Sequence, residues 1–107
     1  VPLIFHLART DDWVAAQLAG EYRISTLGLT LDEVGFIHCS DAEQVDGVAR
    51  AFYGDVEDLV LLTIDTDRVG HEIRVEAAGA GNERFPHIYG PLAVDAVVAV
   101  EPFAMPA

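Results

Sequence analysis

Seven residues, Leu59-Val60-Leu61-Leu62-Thr63-Ile64-Asp65, form the most apolar run of the chain and constrain its fold more than any other segment. Their unbroken apolar character predicts a central strand buried on both faces. Such a strand needs partners, and the flanking sequence supplies them. Leu3 to Ala8 is apolar and partly β-branched, Phe36 to Cys39 is a second short strand, and Ile73-Arg74-Val75-Glu76 alternates as a half-exposed strand does. Phe85 to Tyr89 is extended again, Pro91-Leu92 turns, and Ala96 to Val100 closes the sheet.

Two helices fall in the first half. The side chains of Thr10-Asp11-Asp12 are expected to cap a helix running through Trp13 to Leu18 and ended by Gly20. Ser40-Asp41-Ala42-Glu43 has the pattern of a capping box, which predicts a helix from Asp41 to about Tyr53 with Val45, Val48, Ala49 and Phe52 on its buried side. Between them, Leu27, Leu29, Leu31 and Val34 anchor the segment Tyr22 to Gly35, with one helical turn at Leu31 to Val34. The stretch Ala77 to Arg84 lacks the pattern of a phosphate-binding loop and is read as a mobile flap. The class is α+β, as one domain over residues 1–107, with no internal repeat and no linker.

Composition narrows the functions open to such a domain. Apolar residues make up 51% of the chain, yet no apolar run approaches the ~20 residues that span a bilayer, and no charged-then-apolar leader opens it. A soluble, cytoplasmic protein without membrane partners is expected. Cys39, the lone cysteine, cannot form an internal disulfide, in keeping with a reducing compartment. Eighteen acids against six bases give a formal net charge of -12, which repels polyanions and excludes an extended nucleic-acid footprint. All six bases are arginine, so no lysine can form a Schiff base.

Three of the four histidines lie at the ends of short apolar runs, in Leu3-Ile4-Phe5-His6 (continuing Leu7-Ala8), Gly35-Phe36-Ile37-His38-Cys39-Ser40 and Phe85-Pro86-His87-Ile88-Tyr89-Gly90. Imidazole titrates near neutrality and can donate, accept or bind a metal. Three on strand-like segments predict one cleft lined by His6, His38 and His87, with Ser40 and Tyr89 at its wall. Alternation puts Tyr89 on the face of His87, and Ser40 on the face of His38, while Cys39 turns to the core. Ser40 serves either as helix cap or as ligand contact. Trp13 either packs its helix on the sheet or stacks on a base or nicotinamide ring. Glu76 reads as solvent-exposed with Arg74 beside it, and His71 as a surface residue.

These blocks resemble the bacterial and plant family known as domain of unknown function 952, over nearly the whole chain. That family is similar in fold to the ADP-ribosyltransferases, especially the RNA 2'-phosphotransferase branch. The resemblance implies two small, mostly antiparallel sheets forming a cleft for NAD, beside two main helices. It implies that His6 contacts the adenosine ribose and that His38-Cys39-Ser40 faces the nicotinamide ribose. His87 falls where the transferases carry a glutamate that stabilises the oxocarbenium-like transition state, and imidazole stabilises positive charge less well than carboxylate.

The leading expectation is therefore binding of NAD or a related small nucleotide, with transfer or hydrolysis at the nicotinamide ribose. In it His87, His38 and Ser40 are catalytic, and His6, Tyr89 and Trp13 bind the cofactor. The alternative is a noncatalytic small-ligand binding or interaction module. A metal-dependent hydrolase built on the three histidines with Glu76 comes third. No two of these residues have the short spacing of a metal motif, so no metal is expected.

Overall fold

The computed structural model describes residues 2–77 and 81–106. Along the chain these form β1 (Leu3–Arg9), α1 (Thr10–Ala19), β2 (Glu21–Tyr22), β3 (Ile24–Thr26), β4 (Leu29–Thr30), α2 (Leu31–Val34), β5 (Ile37–His38) and α3 (Val45–Phe52). There follow β6 (Leu59–Asp65), β7 (Ile73–Ala77), β8 (Arg84–Ile88), β9 (Leu92–Ala93) and β10 (Val97–Phe103). The class is α+β, and every strand pairing among the described residues is antiparallel.

The apolar run is β6, the centre of a three-stranded sheet ordered β1-β6-β10. Both of its faces are covered, by different partners. Val60, Leu62 and Ile64 point into a core shared with Ile4, Ala8, Trp13, Tyr22 and Ile37. Leu59 and Leu61 point the other way, toward Leu7, Val45, Val48, Ala49 and Phe85 under α3. Leu62 and Ile64 are wholly buried. Each such side chain contributes about 1.5–3 kcal/mol through removal from water.

A second sheet, ordered β5-β8-β7, carries most of the chemistry-bearing residues. The two sheets are stitched at one point: the Phe5 N–H donates to the Ser40 carbonyl at 2.8 Å, and the Ser40 N–H donates to the Phe5 carbonyl at 2.7 Å. Two short ribbons, β2 with β9 and β3 with β4, complete the pairing.

That stitch displaces the helix start expected at Ser40. With both backbone groups of Ser40 used by the sheet, the cap moves one residue on. Asp41 precedes a 3₁₀ turn over Ala42–Gln44 that leads into α3, and its N–H donates to Gln44 Oε1 at 3.0 Å. Phe52 also departs from expectation. It lies at the end of α3 and is 55% exposed, whereas Val45, Val48 and Ala49 are buried as the periodicity predicts. In α1 the N-cap is Arg9, without a side-chain bond. Thr10 Oγ1 bonds instead to the Asp58 carbonyl at 2.8 Å, while Asp11 and Asp12 occupy the first turn, where negative charge favours the helix. The α1 end is as expected, with Gly20 at φ 88° and its N–H on the Ala16 carbonyl.

Leu31–Val34 is a helical turn, capped reciprocally by Thr30 and Glu33. Leu29 does not anchor to the core and is 46% exposed. The centre of the segment read as a mobile flap, residues 78–80, lies outside the described residues; Ala77 ends β7 and Arg84 begins β8. No helix among the described residues is long and apolar enough to cross a membrane.

Candidate active site

Strand register assembles the site. On β8 and just beyond it, Phe85, His87 and Tyr89 share one face by the two-residue period. His87 stands opposite His38 on β5 and opposite Arg74 on β7, with Glu76 next but one along β7. Residues from three remote segments thereby meet.

They form a hydrogen-bonded relay. His87 Nδ1 lies 2.9 Å from Glu76 Oε1, and His87 Nε2 lies 3.2 Å from His38 Nδ1. Tyr89 donates its hydroxyl to the same Glu76 oxygen. The bonds from Tyr89 and then His87 hold the Glu76 carboxyl below the usual carboxylate range. An ionised carboxylate can only accept, so His87 Nδ1 carries the proton. When each ring carries a single proton, His87 Nε2 accepts from His38 Nδ1–H, and His38 Nε2 is left as a bare acceptor. Burial, reinforced by the neighbouring His87, lowers the His38 pKa to about 4 and keeps that ring neutral at pH 7. Nε2 of His38 is buried without a hydrogen-bond partner among the described residues.

The relay opens onto a cavity of about 410 Å³. Leu29, Val34, Phe36 and Phe52 supply its apolar wall, and His38, Glu76, His87 and Tyr89 its polar side. Phe36 stacks on His87 with ring centroids 4.0 Å apart and planes within 13°. Arg74 lies over the Tyr89 ring at 4.3 Å and pairs with Glu72 at 2.9 Å.

Of the residues singled out in the sequence, His38, His87 and Tyr89 meet in this cavity. His6 does not. It points from β1 into the core on the side of Ile37 and Cys39, away from the faces that carry His38 and His87. Its Nδ1 donates to the His38 carbonyl at 2.6 Å, and its Nε2 accepts from the Tyr22 hydroxyl at 2.9 Å. Burial lowers its pKa to about 4. With both nitrogens engaged, His6 supports the backbone of the site and has no free valence for a ribose. Ser40 is buried at the stitch between the sheets and is not part of the cavity lining. Trp13 is buried in the core against the β1-β6-β10 sheet, which is its packing role. Cys39 is wholly buried, and burial pushes its thiol pKa far up.

Glu76 takes a role that the sequence reading did not give it. Read as an exposed member of an alternating strand, and set beside the histidines only in the metal alternative, it is the acceptor at the end of the relay. Phe36 and Phe52 were also missed as wall residues. The signal for Phe36 was its place beside His38; for Glu76 it was a β7-β8 register that no local pattern reveals.

Fold and site together define a small α+β domain with a carboxylate–imidazole–imidazole relay at the edge of an aromatic-walled cavity. The chain belongs to the family described as protein of unknown function (DUF952), whose profile matches residues 7–100. It is similar to the X-ray crystal structure of protein CC0527 from Caulobacter crescentus, with 31% identity and a TM-score of 0.84 over 99% of this chain and 90% of that one. The solution NMR structure of CC0527 is likewise similar, at 31% identity and TM-score 0.79, over 98% and 87% of the two chains. No curated protein matches the sequence.

Proposed function

We propose that the cavity receives the ring-and-sugar end of NAD or a related nucleotide, and that His38 Nε2 acts on a sugar hydroxyl as hydrogen-bond acceptor and general base. The observation that carries this reading is the buried, unpartnered Nε2 at the head of the relay. A polar atom left bare in a protein interior is costly unless a ligand satisfies it. Phe36 and Phe52 offer ring faces to a flat heterocycle, and the volume is that of a small-molecule site. None of the described lining residues is arginine or lysine, so the phosphates lie outside the cavity, toward Arg74. On this reading the ADP-ribosyltransferase likeness is retained for His38 and His87 and dropped for His6.

The proton path follows from the bonds. As Nε2 of His38 takes the hydroxyl proton, Nδ1–H of His38 passes to His87 Nε2, and Nδ1–H of His87 passes to Glu76. The oxygen so activated attacks or stabilises the anomeric carbon as nicotinamide departs. One observation favours the noncatalytic alternative: a pKa of about 4 makes His38 a weak base at neutral pH.

The test combines binding with turnover. Nitrogen-15 spectra of the histidine rings during titration with nicotinamide riboside, NAD and ADP-ribose are expected to show His38 Nε2 shifting with the first two. His87→Ala is expected to lower nicotinamide release about 10²- to 10⁴-fold with little change in NAD affinity. Binding without release in the unmodified protein selects the binding module. No shift of His38 with any of the three ligands overturns the nucleotide reading.

A further inference from the structure

Beside the first cavity lies another, of about 510 Å³, along α3 from the turn that precedes it to its last residue, Phe52. We propose that it is a separate subsite for a small organic cation with methyl or alkyl groups on nitrogen. Three rings stand on its lining. His38 lies 4.9 Å from Phe85 and 6.4 Å from Phe52, at interplanar angles of 51° and 67°, so both phenyl rings are inclined to the imidazole instead of stacked on it. Rings set at angles around a hollow have the geometry that receives an ammonium group, because each π face is negative.

The remaining lining has the matching charge. Glu43 and Glu83 border the cavity, and no lysine or arginine is among its described lining residues. Glu83 is held in place from outside the ring cluster. Gln44 donates from Nε2 to Glu83 Oε2 at 3.2 Å and to the Arg84 carbonyl at 2.8 Å, while its Oε1 accepts from Asp41 N–H. The Arg84 guanidinium is directed to the Val75 carbonyl at 3.1 Å. Gly47 and Val48 complete the floor without polar side chains. A neutral apolar guest would leave two carboxylates beside it, and an anion would be repelled by them. A cation satisfies rings and carboxylates together. The two cavities share His38 and Phe52, while Glu43, Glu83 and Phe85 line this one and not the first, so the cation is assigned from residues that the nucleotide reading does not use.

Choline and its uncharged isostere 3,3-dimethylbutan-1-ol test the assignment on the full chain by amide NMR. Choline is expected to give saturable shifts at Gly47, Val48 and Phe85, with the isostere binding about tenfold more weakly. Glu43→Gln combined with Glu83→Gln is expected to erase that preference, and Phe52→Leu to weaken choline more than the isostere. Both variants alter surface-accessible side chains, and a dispersed spectrum verifies their folding. Equal binding of the two probes, or no saturable shift with choline, overturns the proposal. Shifts confined to Phe36 and Tyr89 place the cation in the first cavity and overturn it equally.

Discussion

At His6 two hydrogen bonds determine the protonation state of a buried ring. A backbone carbonyl cannot donate, so Nδ1 carries the proton and Nε2 must be met by a donor, which Tyr22 supplies. Tyr22→Phe leaves that acceptor unmet and is expected to cost about 1–3 kcal/mol in urea unfolding. An unchanged midpoint would show that the bond carries no net stability. The same ring also makes stability depend on pH. Its folded pKa of about 4 lies below the 6.5 of an exposed histidine, so the unfolded chain binds more protons in that interval. Stability is therefore full above pH 6.5 and declines as pH falls toward 4, by roughly 3 kcal/mol if His6 acts alone. His38, lowered in the same direction, adds to the slope. His6→Gln is expected to flatten the profile between pH 6.5 and 4.5, measured by urea midpoints at each pH; an unaltered slope assigns the effect to other groups.

Among the elements, α3 shows how a tertiary bond overrides a local signal. Ser40 and Glu43 have the right spacing for a capping box, but the sheet claims the Ser40 backbone and the reciprocal bond passes to Asp41 and Gln44. Gln44 also ties the start of the helix to β8 through the Arg84 carbonyl. Gln44→Ala is accordingly expected to destabilise by about 1–2 kcal/mol. Thermal unfolding of Gln44→Ala beside a control such as Glu57→Ala, at an exposed position just before β6, makes the comparison; equal melting temperatures count against the tie. Strands proved legible where hydrophobic period and length agreed, as in β6 and β8. The relay was half legible, because His38 and His87 stand at the ends of recognisable blocks. Its carboxylate was harder to read, since Glu76 meets His87 only through the antiparallel pairing of β7 with β8. The face of His6 was misassigned because strand alternation fixes relative sides within one strand but not between two sheets.

For the whole molecule the excess of acid is the dominant long-range term. Eighteen carboxylates and six guanidiniums repel one another more in the compact state than in the expanded chain. Raising sodium chloride from about 20 to about 200 mM is expected to increase the melting temperature, because screening relieves that repulsion. A fall with salt would show that ion pairs such as Arg23 with Glu21 and Asp32 outweigh it. Against this diffuse field the site is held by short local bonds. The His38 N–H donates to Ser25 Oγ at 3.3 Å, and its carbonyl accepts from His6 at 2.6 Å. Leu29, Val34 and Phe52, which face the same cavity, belong to other elements and share neither bond. The scaffold thus separates a fixed reagent from an interchangeable lining. A library randomised at those three positions should retain its fold while its choice of guest drifts, making the domain a starting point for selecting new binders.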